Sequence, residues 1–421
     1  MKKFLLSVLA IGGIISLNAQ TWVSDSVATG PQYANRIFYS LENGQVGTVP
    51  YNTYDWFVDV SSGMSASIRI NGGFNAALYK YTAGDTTDWA TLDTTGLGSS
   101  TGWTRQFDTE DSYYPSAFEV GATGHPNYGW GNYNSITHDV IGNKLFVYKT
   151  VGGAWKKVWI VKLAATNSTY TIKVADLNGA NANTISISKQ GITGKSFIYY
   201  SFAADQTFNN EPAIASYDLI FTKFVGLYGV IPNQAVTGVE TNHDVLTAKA
   251  AGIDEDAAVY TDYTLEEKLN GIGSAWKALN ASFQWFTYDS LSYFVQDVPG
   301  NIWQIRFTGF GGGSTGKYKF DKRKVAFASI EENNDVVGAW TVFPNPATEN
   351  VSVVFAANVN TNAQFTLVDL NGRAVMAQTF GAQAGINQYT VNLAAQNLPA
   401  GIYVATLRAG DVLKTTKLII R

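Results

Sequence analysis

The sequence predicts an all-β protein: two tandem β modules followed by a small immunoglobulin-like sandwich. Three observations carry this. The 421-residue chain is 46% hydrophobic and 14% aromatic but only 15% charged, a balance that suits half-buried pleated surfaces better than long solvated helices. Its 40 glycines supply tight turns. Apolar residues alternate, as Val351, Val353 and Phe355 do, which is the period of a strand with one buried face.

Composition removes several function classes. The chain has no Cys, so disulfides, Cys-ligated zinc, iron–sulfur clusters and Cys nucleophiles are excluded. Three His (His125, His138, His243) leave little material for His-rich metal sites. The net charge is −4, and no basic footprint for nucleic acid is visible. Residues 1–20 and 341–421 each carry +2, so the middle carries −8. That favours solubility and gives anionic membranes or DNA nothing to hold.

Each element follows in order. Residues 1–19 read as a secretory signal peptide: Lys2 and Lys3, an apolar run from Phe4 to Ile15, and Ala19 before a cleavage expected at Gln20. The run is too short to span a bilayer, and no later stretch is long and apolar enough to be a transmembrane helix. Without Cys there is no lipoprotein attachment site.

Residues 20–335 contain an internal repeat. LFVYKTVGGAWKKVWIVK from Leu145 parallels YFVQDVPGNIWQIRFTGF from Tyr293. An offset of 148 matches Phe146 with Phe294, Gly152 with Gly300, Trp155 with Trp303, Trp159 with Phe307 and Tyr170 with Tyr318. Both copies read as hairpins with Gly at the turn. Upstream, Tyr54–Asp55–Trp56 parallels Tyr217–Asp218–Leu219, each heading an apolar strand. An Asp in that place is expected to satisfy backbone N–H groups rather than perform chemistry. The repeats are assigned to residues 20–190 and 191–335. The first carries an extra segment, about Asp108 to Asn134, containing GHPNYGWGNYN. The second carries YTLEEKLNGIGSAWKAL (263–279), expected as a short amphipathic helix broken at Gly271 and Gly273.

The C-terminal 80 residues hold the most specific motifs. FPNP (343–346) fixes an extended entry and removes two backbone donors. QFTLVDLNGRAVM is a hairpin turning at Asn371–Gly372. LPAGIYVATLRAG and the closing KLIIR supply further strands, together enough for an immunoglobulin-like sandwich. These motifs closely resemble the type A sorting domain of the type IX secretion system of Bacteroidetes, over residues 340–421. The resemblance implies that this tail partners the type IX secretion machinery, is then removed, and leaves a protein secreted or held at the outer cell surface. Asp25, Asp85, Asp93 and Asp289, each followed by Ser or Thr, resemble the O-glycosylation motif of the same phylum.

The middle resembles the HmuY-like family of secreted all-β proteins, through FYSLENGQV, the Tyr-Asp-Trp strand start, SIRINGG and GGAWKKVWIVK. That resemblance implies haem or another hydrophobic ligand, held in the family by two axial side chains. The residues themselves require no cofactor and offer few such ligands: past the leader, Met occurs only at 64 and 376. His125 and His138 flank the extra segment, so a bis-His site would fall there; surface or capping roles are the alternative. The ligand patch is therefore placed at His125, Tyr128, Trp130, Tyr133 and His138, because loops on rigid scaffolds carry function.

Motifs for catalysis are weak. GSSTG (98–102) and GGSTG (312–316) match G-x-S-x-G, but Ser314 has no His after it and Ser100 is followed by a strand-like WTRQF. Gly-rich turns explain both. DEDAAVYTD (254–262) lacks the alternating ligands of a calcium loop. The sequence thus predicts a non-enzymatic surface or secreted binding protein for a small hydrophobic ligand or glycan. The alternatives are a carbohydrate-active hydrolase with an unmarked carboxylate pair, and a structural or adhesive surface protein.

Overall fold

The computed structural model describes residues 21–62, 65–99, 101–327, 337–369, 372–396, 398–410 and 412–421, side chains at 337–339 apart. The leader, Met64, Ser100 and Asn371 lie outside the described residues. Two compact units divide at residues 328/329, and both are built from strands. No described helix is long and apolar enough to cross a membrane.

In the body, the first half contributes β1 (Val23–Ala28), β2 (Asn35–Ser40), β3 (Gly44–Pro50), β4 (Trp56–Asp59), β5 (Ile68–Ile70) and β6 (Ala77–Tyr81). It continues with β7 (Trp103–Gln106), β8 (Gly131–Tyr133), β9 (Val140–Gly142), β10 (Phe146–Lys149), β11 (Trp155–Ala164) and β12 (Thr169–Asp176). β13 (Asn183–Ser188) closes the first half, and the second contributes β14 (Phe197–Ser201), β15 (Gln206–Phe208), β16 (Leu219–Tyr228), β17 (Ile231–Thr241) and β18 (Leu246–Ala251). It closes with β19 (Glu266–Glu267), β20 (Lys277–Leu279), β21 (Trp285–Thr287), β22 (Leu291–Gln296), β23 (Ile302–Phe310) and β24 (Lys317–Ala326).

These strands form two outer sheets with parallel strand orders, β13-β12-β11-β10-β6-β7 and β1-β24-β23-β22-β18-β19. Two inner sheets also mirror one another, β15-β14-β4-β5 and β3-β2-β16-β17. Each inner sheet joins a hairpin of one half to two strands of the other, through β14–β4 and β2–β16. The outer sheet of the second half borrows its edge strand β1 from the first, whereas β13 pairs locally with β12. The sequence boundary at 190/191 therefore separates the chain but not the sheets: a cut there severs both inner sheets.

The inner strands explain the runs RIFYS, WFVD, FIYYS and LIFT. Successive side chains of a strand point to opposite faces, and here both faces are buried. Trp56, Val58, Ile198 and Tyr200 face one outer sheet. Phe57, Tyr199, Phe38 and Ile220 meet in a central core between the inner sheets. Tyr39, Leu219 and Phe221 face the other outer sheet, against Trp276, Tyr293 and Phe320. Each fully buried Phe contributes about 1.5–3 kcal/mol over leaving it exposed.

Asp55 and Asp218 fasten this weave, as their position predicts. Asp55 accepts from Val151 N in its own half and Phe202 N in the other, at 2.9 and 2.8 Å. Asp218 accepts from Val298 N and Leu41 N, at 2.9 and 2.7 Å. Asn71 and Asn242 match as well: each amide nitrogen donates to two carbonyls just before the anchoring Asp, Tyr51 and Tyr54 for one, Ile214 and Tyr217 for the other.

Two expectations need correction. The hairpins pair Phe146 with Val158 and Tyr293 with Ile305, so the counterpart of Phe146 is Tyr293 and the offset is 147. A one-residue slip moves every side chain to the other face: Phe294 points away, toward Tyr260 and Tyr263. The matching turn glycines are Gly153 and Gly300, at φ 89° and 98°. Tyr170 and Tyr318 keep their match; both are fully buried, opposite Leu163 and Phe310. The following turn is one residue longer in the second half, which restores the offset there.

The helix expected over 263–279 does not form. The segment holds only β19 and β20. Leu269 is drawn into the central core and Trp276 into the neighbouring one, and the chain turns between them. Gly273 sits at φ 63° and exchanges backbone hydrogen bonds with Val239. Ser314 lies in a one-turn helix, Gly312–Thr315, its hydroxyl exposed and donating to Gly311 O.

The tail is a separate sandwich. One sheet is β25 (Val337–Phe343), β26 (Asn350–Ala357) and β29. The other is β28-β27-β30-β31. Their ranges are β27 Thr361–Val368, β28 Ala374–Ala382, β29 Gly385–Asn392, β30 Gly401–Ala409 and β31 Val412–Ile420. Phe355, Phe365, Leu367, Leu407 and Leu418 alternate into one core.

Candidate functional site

The extra segment of the first half divides into a buried and an exposed part. Asp108 caps Ile70 N and Ala117 N at 3.0 and 2.8 Å. Arg69 donates to the carbonyls of Thr109, Ser112 and Tyr113. Residues 108–119 are thus held down, with Tyr113 and residues 116–119 buried and Asp111 and Tyr114 left at the surface. The chain then rises to the surface and returns as β8 and β9.

Of the five expected ligand residues, the structure gathers three. His125 packs on Tyr133 with ring centroids 4.5 Å apart and the planes tilted by 54°. The Tyr133 hydroxyl and His138 Nδ1 are 2.5 Å apart. Both imidazoles are exposed and Tyr133 is half-buried between them. His138 turns at φ 63°, placed by a hydrogen bond from its N–H to Asn134 O. Tyr128 is half-buried and packs on the core. Trp130 leaves the patch altogether: it is 0% exposed, lies 6.0 Å from Tyr170, and donates through Nε1 to Ala66 O at 2.9 Å.

The Gly-Trp-Gly sequence has a packing reason. A Cβ on Gly129 would meet Glu119 O at 2.4 Å, and one on Gly131 would meet Ile141 O at 2.5 Å. The glycines let the backbone press down so that the indole reaches the core. The signal read as a ligand loop was partly the signature of this close approach.

Sequence reasoning missed a buried charge cluster between the inner sheets. Arg36 pairs with Glu240 at 2.9 Å, both under 10% exposed. Its guanidinium lies 5.3 Å from the Tyr51 ring centroid and 5.9 Å from that of Phe57. Its Nε and Nη1 find no hydrogen-bond acceptor among the described residues. With Arg69, Asp108 and Tyr113 it lines a cleft of about 470 Å3, mouth included, whose interior holds about one water. Nearby, Glu211 accepts from Phe197 N and Tyr199 OH, and burial pushes its carboxyl up to about 7. The one signal for this cluster was an Arg inside the apolar run RIFYS.

A wider hollow of about 770 Å3 is lined by Glu42, Asp218, Asp297 and Asn301. Its carboxylates are engaged: Asp218 as above, Asp297 with Asn301 and Trp303, Glu42 with Lys324. Among the described residues, no group of three His, Asp or Glu side chains is gathered to hold a metal ion.

In the tail, FPNP and KLIIR come together although they stand at opposite ends of the unit. Asn345 Nδ2 donates to Lys417 O at 2.7 Å, and its Oδ1 accepts from Ile419 N at 2.9 Å. Ala347 then pairs with Ile420 in parallel. Its N–H donates to Ile419 O and its carbonyl accepts from Arg421 N.

Comparison with known proteins agrees with this geometry. Residues 341–421 match the secretion system C-terminal sorting domain family. The chain is therefore a type IX secretion cargo, destined for secretion or the outer cell surface. No curated protein matches it. Among solved structures, dimeric latent PorU from Porphyromonas gingivalis aligns over 84% of this chain and 31% of its own, at 9% identity and a TM-score of 0.17. The chain spans about a third of that protein, and a likeness of this degree carries no structural argument.

Proposed function

We propose that the mature body is a non-enzymatic binding protein of HmuY-like type, made by duplication of one strand unit and carried outward by its removable tail. Support for the duplication comes from the mirrored sheet orders and from the paired anchors Asp55/Asp218 and Asn71/Asn242. Support for a ligand patch comes from one observation: His125, Tyr133 and His138 meet at the surface, His125 on a loop before β8 that is longer than the matching loop before β20. Two imidazoles flanking a phenol suit a planar or metal-bearing hydrophobic ligand such as haem at the surface. The narrow cleft at Arg36 is too small for one.

Haemin titration tests this. A Soret shift with the full chain, lost on His125→Ala or His138→Ala, supports axial ligation at the cluster. No shift, or a shift that both substitutions leave unchanged, removes it. Turnover in a glycan hydrolysis screen would overturn the non-enzymatic reading.

A further inference from the structure

We propose that the export machinery reads one composite surface at the end of the sorting unit, formed where Phe343–Ala347 lies along β31, and that Asn345 locks its two parts together. This rests on the export reading above and names the surface it uses.

The argument begins with the edge of a sheet. β31 is the last strand of β28-β27-β30-β31, and an uncovered edge presents unpaired N–H and C=O groups. Pro344 and Pro346 have no N–H to offer it. The Asn345 side chain supplies a donor and an acceptor instead, to Lys417 O and Ile419 N. Ala347 continues the pairing at Ile420. Residues 345–347 thus act as a short extra strand that fixes the C-terminal residues in register.

The surface so fixed has a definite character. On β30, Ile402 and Val404 are 45% and 37% exposed, and they pair with Ile419 and Lys417. Of the five Lys and Arg residues in 341–421, Arg408, Lys414, Lys417 and Arg421 lie on or directly after these two strands. Lys417 and Arg421 share the outward face of β31 with Ile419, beside Ile402 and Val404, and an apolar spot flanked by two cations fits a protein partner whose apolar pocket carries an acidic rim.

The test uses the full chain in a host with type IX machinery, with the exported fraction read by cell fractionation. Four chains are compared: wild type, a chain ending at 339, Asn345→Ala, and the double variant Lys417→Glu, Arg421→Glu. The double variant changes side chains only, and the Asn345 bonds to this strand use backbone atoms, so the lock stays intact. Thermal melting of each purified chain reports whether the tail is folded. The expected result is a drop in export of about tenfold for both variants, with the double variant melting like wild type. Export of both within twofold of wild type overturns the proposal. So does loss of export in Asn345→Ala alone, because the lock would then act through folding and not through a surface. Export of the chain ending at 339 as efficiently as wild type would instead overturn the export reading itself.

Discussion

Asp218 holds a backbone N–H from each half of the body, so its removal leaves two buried donors without an acceptor. Asp218→Ala should lower the unfolding free energy by about 2–4 kcal/mol, and Asp218→Asn, which keeps one acceptor, by about half as much; urea denaturation measures both. Glu211 makes a pH prediction. Burial raises the carboxyl from its ordinary 4.5 to about 7 in the folded state, so the native state binds the extra proton between those values. Stability should fall as pH rises through that window, by about 3 kcal/mol in all. Glu211→Gln should flatten the fall, read from melting curves between pH 4 and 8. The anchoring role of Asp55 and Asp218 was legible because Tyr-Asp at a strand start has a local cause. Arg36 was not, because its partner Glu240 comes from an element that meets β2 only in the assembled sheets.

At the scale of elements, strand identity was legible wherever alternation or an aromatic run was strong, as in β2, β4, β14 and β26. Register was less so. Aligning aromatics with aromatics placed Phe146 on Phe294, whereas the ladder pairs by backbone and sets Tyr293 there. The 263–279 helix failed for a related reason: its apolar spacing served two different cores. The patch was half legible. His125, Tyr133 and His138 do meet, but Trp130, taken from the same Gly-rich string, is core. Composition cannot tell a glycine that frees a loop from one that lets an indole in.

At the scale of the whole molecule, the inner sheets make neither half self-sufficient. Residues 21–190 expressed alone would lack the partners of β2 and β4, leaving long apolar strand edges open. The fragment should be aggregated or poorly folded by size-exclusion chromatography and circular dichroism, while 21–327 should be a cooperative monomer; a well-folded fragment would contradict the woven arrangement. The pairing of β1 with β24, Val27 opposite Tyr318, has a consequence in time. Contacts this distant in sequence form slowly, so the first strand of the body finds its place only when nearly the last has been supplied, and the body closes into a finished particle at the end of its folding rather than piece by piece.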